Sequence, residues 1–520
     1  MNDIFKTIGL LVILSLAACG GSDPAGFQPG IFLDANTFLA QCQAPRTGIN
    51  PATGQAYPDV QGTTTDENNF LRSYSNDTYL WYSEITDQDP SLFDDTLVYF
   101  DELVTTATTP SGQPKDKFHF TFDSEEWFQL SQSGVSAGYG LQWAFLSSTV
   151  PRDIRIAYTE PNTPATNLVP SLARGARVLG VDGFDIDVDT QAGVDALNAA
   201  FFPTDGAQHT FTVLDLGAAS SRDVTMTAAN ITSEPVQNTQ VLSTPTGDIG
   251  YMLFNDHIAT AEQALIDAVN LLNSFNNNQG IDDLVLDMRY NGGGFLDIAS
   301  ELAYMVAGAA PTAGQTFEEL QFNDKHPVTN PVTGAALSPT PFHNVALGFS
   351  AVPGQALPTL DLPRVYVITG GGTCSASEAV MNSLRGVGIE VIQIGSTTCG
   401  KPYGFFATDN CGTTYFTIQF RGVNALDFGD YTDGFSPNNT PGAAGPAVLP
   451  GCSIADDFTR QLGDPTEDRL AMALAYRDGQ TCTAATGSAP DGASFAAEAP
   501  QRSEVLIPKS PWHTNRIMLP

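Results

Sequence analysis

Val365-Tyr366-Val367-Ile368-Thr369-Gly370-Gly371-Gly372-Thr373-Cys374-Ser375-Ala376-Ser377-Glu378 runs from an apolar segment, through three glycines, into small residues that open a helix. Val365 to Thr369 reads as a buried strand and Ala376 to about Arg385 as a helix. The same alternation extends in both directions. Val391 to Ile394 is the next buried strand. Upstream, Ile249 to Phe254 is strand-like, Thr260 to Phe275 helical, and Leu284 to Met288 a buried strand. Phe295 to Ala307 then places Leu296, Ala299, Leu302, Ala303 and Val306 on one helical face. Strand-helix alternation of this kind predicts an α/β layered core over 235–480.

The remaining chain divides by composition, so the expected fold is a multidomain α+β protein. Asp66 to Thr106 carries helical periodicity, including Tyr79-Leu80-Trp81-Tyr82 and Leu97-Val98-Tyr99-Phe100, and predicts a small helical domain over 61–130. Residues 134–230 change to short alternating strands separated by Gly and Pro turns, a β-rich module. A Gly/Pro-rich tether lies within 19–60, and 481–520 reads as a loose tail. At the N-terminus, Lys6 precedes the apolar run Ile8 to Leu16, which ends in Leu16-Ala17-Ala18-Cys19. The run is too short to span a bilayer, and 1–18 reads as an export signal. Leu-Ala-Ala-Cys resembles the bacterial lipobox, which implies acylation of Cys19. Gly20 in the next position implies lipid anchoring at the outer membrane of a bacterial cell envelope.

The chain has 520 residues and a formal charge of −35, with only 22 Lys and Arg and no basic block, which excludes a polyanion partner such as nucleic acid. Apart from Cys19 there are Cys42, Cys374, Cys399, Cys411, Cys452 and Cys482, an even number in an exported chain. Disulfides are expected, with the pairing open among 15 possibilities. The six histidines, 119, 209, 257, 326, 343 and 513, are scattered without ligand spacing, so no metal site is expected.

Two glycine-rich turns sit at strand ends, where ligands bind in layered α/β folds. Asp287-Met288-Arg289-Tyr290-Asn291-Gly292-Gly293-Gly294 enters a helix, and its amides can approach an oxyanion. In the second turn, Ser375 with Glu378 fits a helix capping box. The same serine can be a nucleophile, with the Ala376 amide as an oxyanion donor. Lys401, one of six lysines, stands in the apolar stretch Cys399-Gly400-Lys401-Pro402-Tyr403-Gly404. Burial disfavours an ammonium, and a neutral amine can deprotonate serine.

Ser375-Ala376-Ser377-Glu378, followed by Gly400-Lys401 and preceded by Asp287 to Gly294, resembles the carboxyl-terminal processing, or tail-specific, serine proteases. The resemblance covers roughly 60–480. It implies Ser375 as nucleophile, Lys401 as general base, and an oxyanion hole from Gly293 or Gly294 with Ala376. It also implies a crotonase and Clp-protease-like core, no cofactor, and protein or peptide substrates. Gly138-Tyr139-Gly140-Leu141 and Gly175 to Gly183 resemble the carboxylate-binding loop and strands of a PDZ domain, which adds a peptide strand to its sheet edge. Phe405 stands where many members place a polar residue that orients the lysine. The histidine of the tricorn-like branch is missing from Gly250 to Phe254, and His257 lies just beyond.

Overall fold

The computed structural model describes residues 26–51, 53–482 and 516–518, the last three by their backbone alone. The export signal and Cys19 lie outside the described residues.

Apolar runs at 249–254, 284–288, 365–369 and 391–394 become the middle of a six-stranded sheet. Its order is Val236–Thr244, Gly247–Phe254, Asp283–Asp287, Arg364–Thr369, Glu390–Gly395, Gly451–Ser453. The first pair is antiparallel and every later pair is parallel. The runs are apolar on both faces because both faces are covered. Leu284, Leu286, Val365 and Val367 pack against the helices Ala261–Asn273, Leu296–Ala307 and Ala376–Gly386. On the other face Val285, Tyr366, Ile368, Ile392 and Ile394 meet Leu470 and Ala473 of the helix Asp468–Arg477. A second sheet runs in the order Gly294–Phe295, Arg516–Met518, Tyr403–Phe406, Phe420–Val423, Thr316–Phe322, Thr340–Pro341.

The β-rich segment forms a module with its own core of Trp143, Phe145, Ile154, Ile156, Val178, Leu197, Phe201 and Phe211. Its strands run Arg222–Thr227, Gln208–Leu214, Arg177–Val181, Asp153–Thr159, Leu141–Ser147, so Leu141–Ser147 is an edge. One helix, Gln191–Phe201, packs on the sheet. Val135–Gly138 pairs antiparallel with Ala229–Thr232, so the chain enters and leaves the module side by side.

The N-terminal region, read as a small helical domain, is tied to the core. The helix Thr64–Thr78 is opened by a capping box of Thr63 and Asp66 and stops at Tyr79, before the aromatic run read as helical. Tyr79 is extended there because its ring is wanted in the main core, where its hydroxyl donates to Asp116 at 2.7 Å. Leu97 to Phe100 lie in the short helix Thr96–Glu102. Phe120–Asp123 pairs with the core strand Thr413–Phe416, and Cys42 is bonded to Cys411. Tyr79, Phe118, Trp127 and Leu130 belong to the same apolar cluster as the helices Ala261–Asn273, Leu296–Ala307 and Ala376–Gly386 of the core. The other disulfides are Cys374–Cys399 and Cys452–Cys482. Within the expected loose tail, Arg516–Met518 is a strand rather than free chain.

Candidate active site

Three adjacent parallel strands end on the same side of the sheet, and each releases one of the turns singled out above. Asp283–Asp287 leads to Met288–Gly294, Arg364–Thr369 to Gly370–Ser375, and Glu390–Gly395 to Ser396–Lys401. Residues far apart in sequence are neighbours because their strands are. The turns are also bonded to one another. Thr373 Oγ1 donates to the Met288 carbonyl at 2.8 Å, the Cys374 amide to the Asn291 carbonyl at 3.1 Å, and the Cys399 amide to the Thr373 carbonyl at 3.0 Å.

Ser375 begins the helix Ala376–Gly386 with φ 60 and ψ −114, a conformation an L-residue adopts only under constraint. Holding it there costs about 1–3 kcal/mol. The surroundings supply the constraint: Glu378, fully buried, accepts the Ser375 amide at 3.0 Å. Ser375 and Glu378 have the outline of a capping box, with the Ser375 amide bonded to Glu378, yet the serine hydroxyl has no cap hydrogen bond of ordinary geometry. Its Oγ is buried and unpartnered. The hydroxyl is not consumed as a cap.

Glu378 also accepts the amides of Gly400 at 2.9 Å and Lys401 at 2.8 Å, and the Thr398 hydroxyl. Desolvation pushes its carboxyl upward, and these donors pull it back. Ser375 and Lys401 amides share the oxygen Oε2, so they lie within two hydrogen-bond lengths of each other.

Lys401 is 0% exposed, and its Nζ has no hydrogen-bond partner. It lies 4.3 Å from the centre of the Phe405 ring and 4.9 Å from that of Phe118. Phe405 therefore does not orient the amine through a polar bond, as a residue at that position was expected to do, but walls it from water. Ring faces attract an ammonium by about 0.5–2 kcal/mol, while stripping one of water costs several kcal/mol. Desolvation wins, and the Lys401 pKa is held well below the usual lysine range, with Asp116 and Glu378 opposing the shift.

The Gly293 amide donates to Asn291 Oδ1 at 2.9 Å, so as it stands this amide is occupied. Gly294 has φ 132, and a Cβ there would sit 2.4 Å from the His257 carbonyl oxygen; only glycine fits. The Ala376 amide lies in the first turn of its helix, where amides have no helical acceptor. His257 is fully buried and belongs to the glycine turn. Its Nδ1 is 3.0 Å from Asn291 Oδ1, and burial lowers its pKa to about 3, so it is neutral. Arg289 anchors the same turn: fully buried, it donates to Asp287, Glu467 and Asp456.

Tyr139, Gly140 and Leu141 lie in the second module. Tyr139 is buried edge-on against Phe211, Gly140 has φ 73 beside Thr163, and Leu141 opens the edge strand. This module touches the core where Arg174 donates to Asp456 and to the Tyr290 hydroxyl. Sequence reasoning missed Asp116 and Phe118, which approach Lys401 from more than 250 positions upstream; nothing in their local pattern marks them. Cys374, Glu378 and Cys399 bring potential ligand atoms within 4.8 Å, but the two sulfurs are bonded to each other and offer no thiolate.

Residues 248–406 match Peptidase family S41. A carboxyl-terminal-processing protease from Picosynechococcus sp. is 26% identical over 275 residues, 52% of this chain and 56% of that protein. The matched span is thus little more than half the length of that relative. A putative S41 protease from Bacteroides fragilis has the same fold, with TM-score 0.58, 21% identity, and coverage of 82% of this chain and 98% of that one. The photosystem II D1 C-terminal processing protease aligns over 73% of this chain and 93% of its own, with TM-score 0.43 and 16% identity.

Proposed function

We propose that this chain, whose residues 248–406 are a Peptidase family S41 domain, is a serine endopeptidase that uses Ser375 as nucleophile and Lys401 as base. One observation carries the reading: Ser375 Oγ and Lys401 Nζ are both buried polar atoms without a hydrogen-bond partner, on turns whose amides share one carboxylate. A buried polar atom left unpaired calls for an explanation, and a catalytic role supplies one for this pair.

In the proposed reaction, neutral Nζ takes the Ser375 proton as Oγ bonds to the substrate carbonyl carbon. The resulting ammonium passes that proton to the departing amine, and an ester to Ser375 remains. Water, deprotonated by the same amine, hydrolyses the ester. The Ala376 and Gly294 amides would hold the oxyanion, and the Gly293 amide would join them only by leaving Asn291 Oδ1. No cofactor is needed.

Peptide is the substrate class this geometry supports. Arg516–Met518 lies as a strand between Gly294–Phe295 and Phe405–Phe406, a seat for extended backbone beside both the glycine turn and the lysine strand. The PDZ-like module, with its free edge Leu141–Ser147 beside the helix Gln191–Phe201, is the second seat for a peptide, near exposed C-termini of envelope proteins. A lipid on Cys19 would hold the enzyme at the outer membrane.

The test is digestion of a permanently unfolded protein by the chain lacking residues 1–19, alongside Ser375→Ala. Internal cleavage by the first and none by the second is expected. Equal cleavage by both would overturn the proposal.

A further inference from the structure

We propose that the Cys374–Cys399 disulfide is a positioning element of the Ser375–Lys401 pair, and that its reduction by a dithiol releases the lysine and silences the site. This inference rests on the catalytic reading above.

The bond joins the residue before Ser375 to the residue two before Lys401, across a sequence separation of 25. It is the single covalent cross-link between the two turns. The other ties of the Ser396–Lys401 turn are noncovalent: Ser396 bonds Thr369 and Gln393, Thr397 bonds Ser436, the Cys399 amide bonds Thr373, Thr398 bonds Phe435 through its amide and its hydroxyl, and three donors converge on Glu378. Those three rely on a carboxyl that burial pushes toward its neutral form.

The turn comes under load whenever Lys401 is protonated. Lys401 has been drawn out of water between Phe118 and Phe405, and an ammonium there gains by swinging out to solvent. The charged groups facing it are Asp116, from the segment that carries Phe118, and Glu378, from the serine helix; Lys117 lies beside Glu378 and Asp433. A covalent tie two residues from the lysine opposes that swing without adding a polar group.

Access to the bond is one-sided. Cys374 is fully buried and Cys399 partly exposed. A dithiol thiolate attacks Cys399 Sγ, forming a mixed disulfide and expelling Cys374 as thiolate. The second thiol of the reagent then closes on the first sulfur and frees Cys399. Two electrons pass to the protein, two protons move from reagent to cysteines, and the reagent leaves as its cyclic disulfide. The other bridges, Cys42–Cys411 and Cys452–Cys482, tie peripheral elements and serve as controls.

The experiment uses the chain lacking residues 1–19, oxidised, reduced with dithiothreitol, and reoxidised. Beside it stand the bridge variant Cys374→Ala/Cys399→Ala and the control Cys42→Ala/Cys411→Ala, all in EDTA, because freed thiols with Glu378 could chelate metal. Two readouts are taken: the pH profile of kcat/KM, and acetic anhydride labelling of each lysine against pH by mass spectrometry. On reduction, or in the bridge variant, Lys401 labelling should rise to that of exposed lysines with an ordinary lysine pKa. The acid limb of kcat/KM should move to higher pH, and kcat should fall by about 100-fold, the cost of an ångström-scale misplacement. Reoxidation restores the wild type and not the bridge variant; the control behaves as wild type. Lys401 labelling unchanged by reduction would overturn the proposal. If no form cleaves, the catalytic reading fails, and Lys401 labelling still decides the positioning claim. Should the bridge variant not fold, the reduction and reoxidation cycle of the wild type decides alone.

Discussion

Ser375 carries a backbone strain that Glu378 holds in place and that the proposed nucleophile would use. At φ 60 and ψ −114 a Cβ is unwelcome, and glycine alone is free of the penalty. Ser375→Gly is therefore expected to unfold at higher denaturant than Ser375→Ala, by about 1–3 kcal/mol, although both are inactive. Equal stability of the two would remove the strain from the account. Lys401 makes a pH prediction. Asp116 favours the ammonium, so Asp116→Asn removes an opposing charge and lowers the lysine pKa further. The neutral base then survives to lower pH, and the acid limb of kcat/KM moves down; a limb that stays or rises would contradict this. Ser375 and Lys401 were legible in the sequence because glycines, a helix start and a rare lysine mark them. Asp116 and Phe118 were not, because their role comes from tertiary proximity alone. Phe405 was legible as a position but not as a wall, since its ring matters only with the amine placed over it.

At the scale of elements, the site depends on turns at the ends of parallel strands, and the glycine turn depends on Arg289. Its guanidinium lies between Asp287, Asp456 and Glu467 with every carboxylate in hydrogen-bond contact. Arg289→Ala would leave Asp287 and Glu467 buried without their cation, while Asp456 keeps Arg174, and should cost about 3–5 kcal/mol in urea unfolding. The folded pKa values of Asp456 and Glu467 are depressed, with desolvation overcome by Arg289 at Glu467 and by Arg289 together with Arg174 and Arg469 at Asp456. Their stabilisation is therefore complete above the ordinary carboxylate range and is lost as pH falls through the folded values. Arg289→Ala should accordingly show a shallower loss of stability in acid than wild type, read from thermal melts between neutral and acid pH. Strands and helices of the core were readable because covering helices on both faces leave continuous apolar runs. The end of Thr64–Thr78 was not, because Tyr79 obeys a distant partner, Asp116, rather than its own helical periodicity.

Across the whole molecule, the region read as a small helical domain is stitched to the core. Composition shows where periodicity changes, but not that Phe120–Asp123 completes a core hairpin or that Cys42 reaches Cys411. The β-rich module was legible as a unit because its paired entry and exit strands leave it a core of its own. The formal charge of −35 acts on all of these parts together. Self-repulsion opposes the compact state and is screened by salt, whose Debye length falls from about 30 Å at 0.01 M to about 8 Å at 0.15 M. Tm should therefore rise with added sodium chloride over that range, and a flat or falling Tm would contradict it.

The central claim is that Lys401 acts as a neutral base toward Ser375 and not merely as a positive charge near it. Arginine keeps the charge and cannot give up its proton. The most direct measurement is kcat for cleavage of an unfolded protein by Lys401→Arg beside wild type, with circular dichroism to verify folding. A loss of about 100-fold or more, the usual contribution of general base catalysis, is the predicted result; activity within a few-fold of wild type would contradict it.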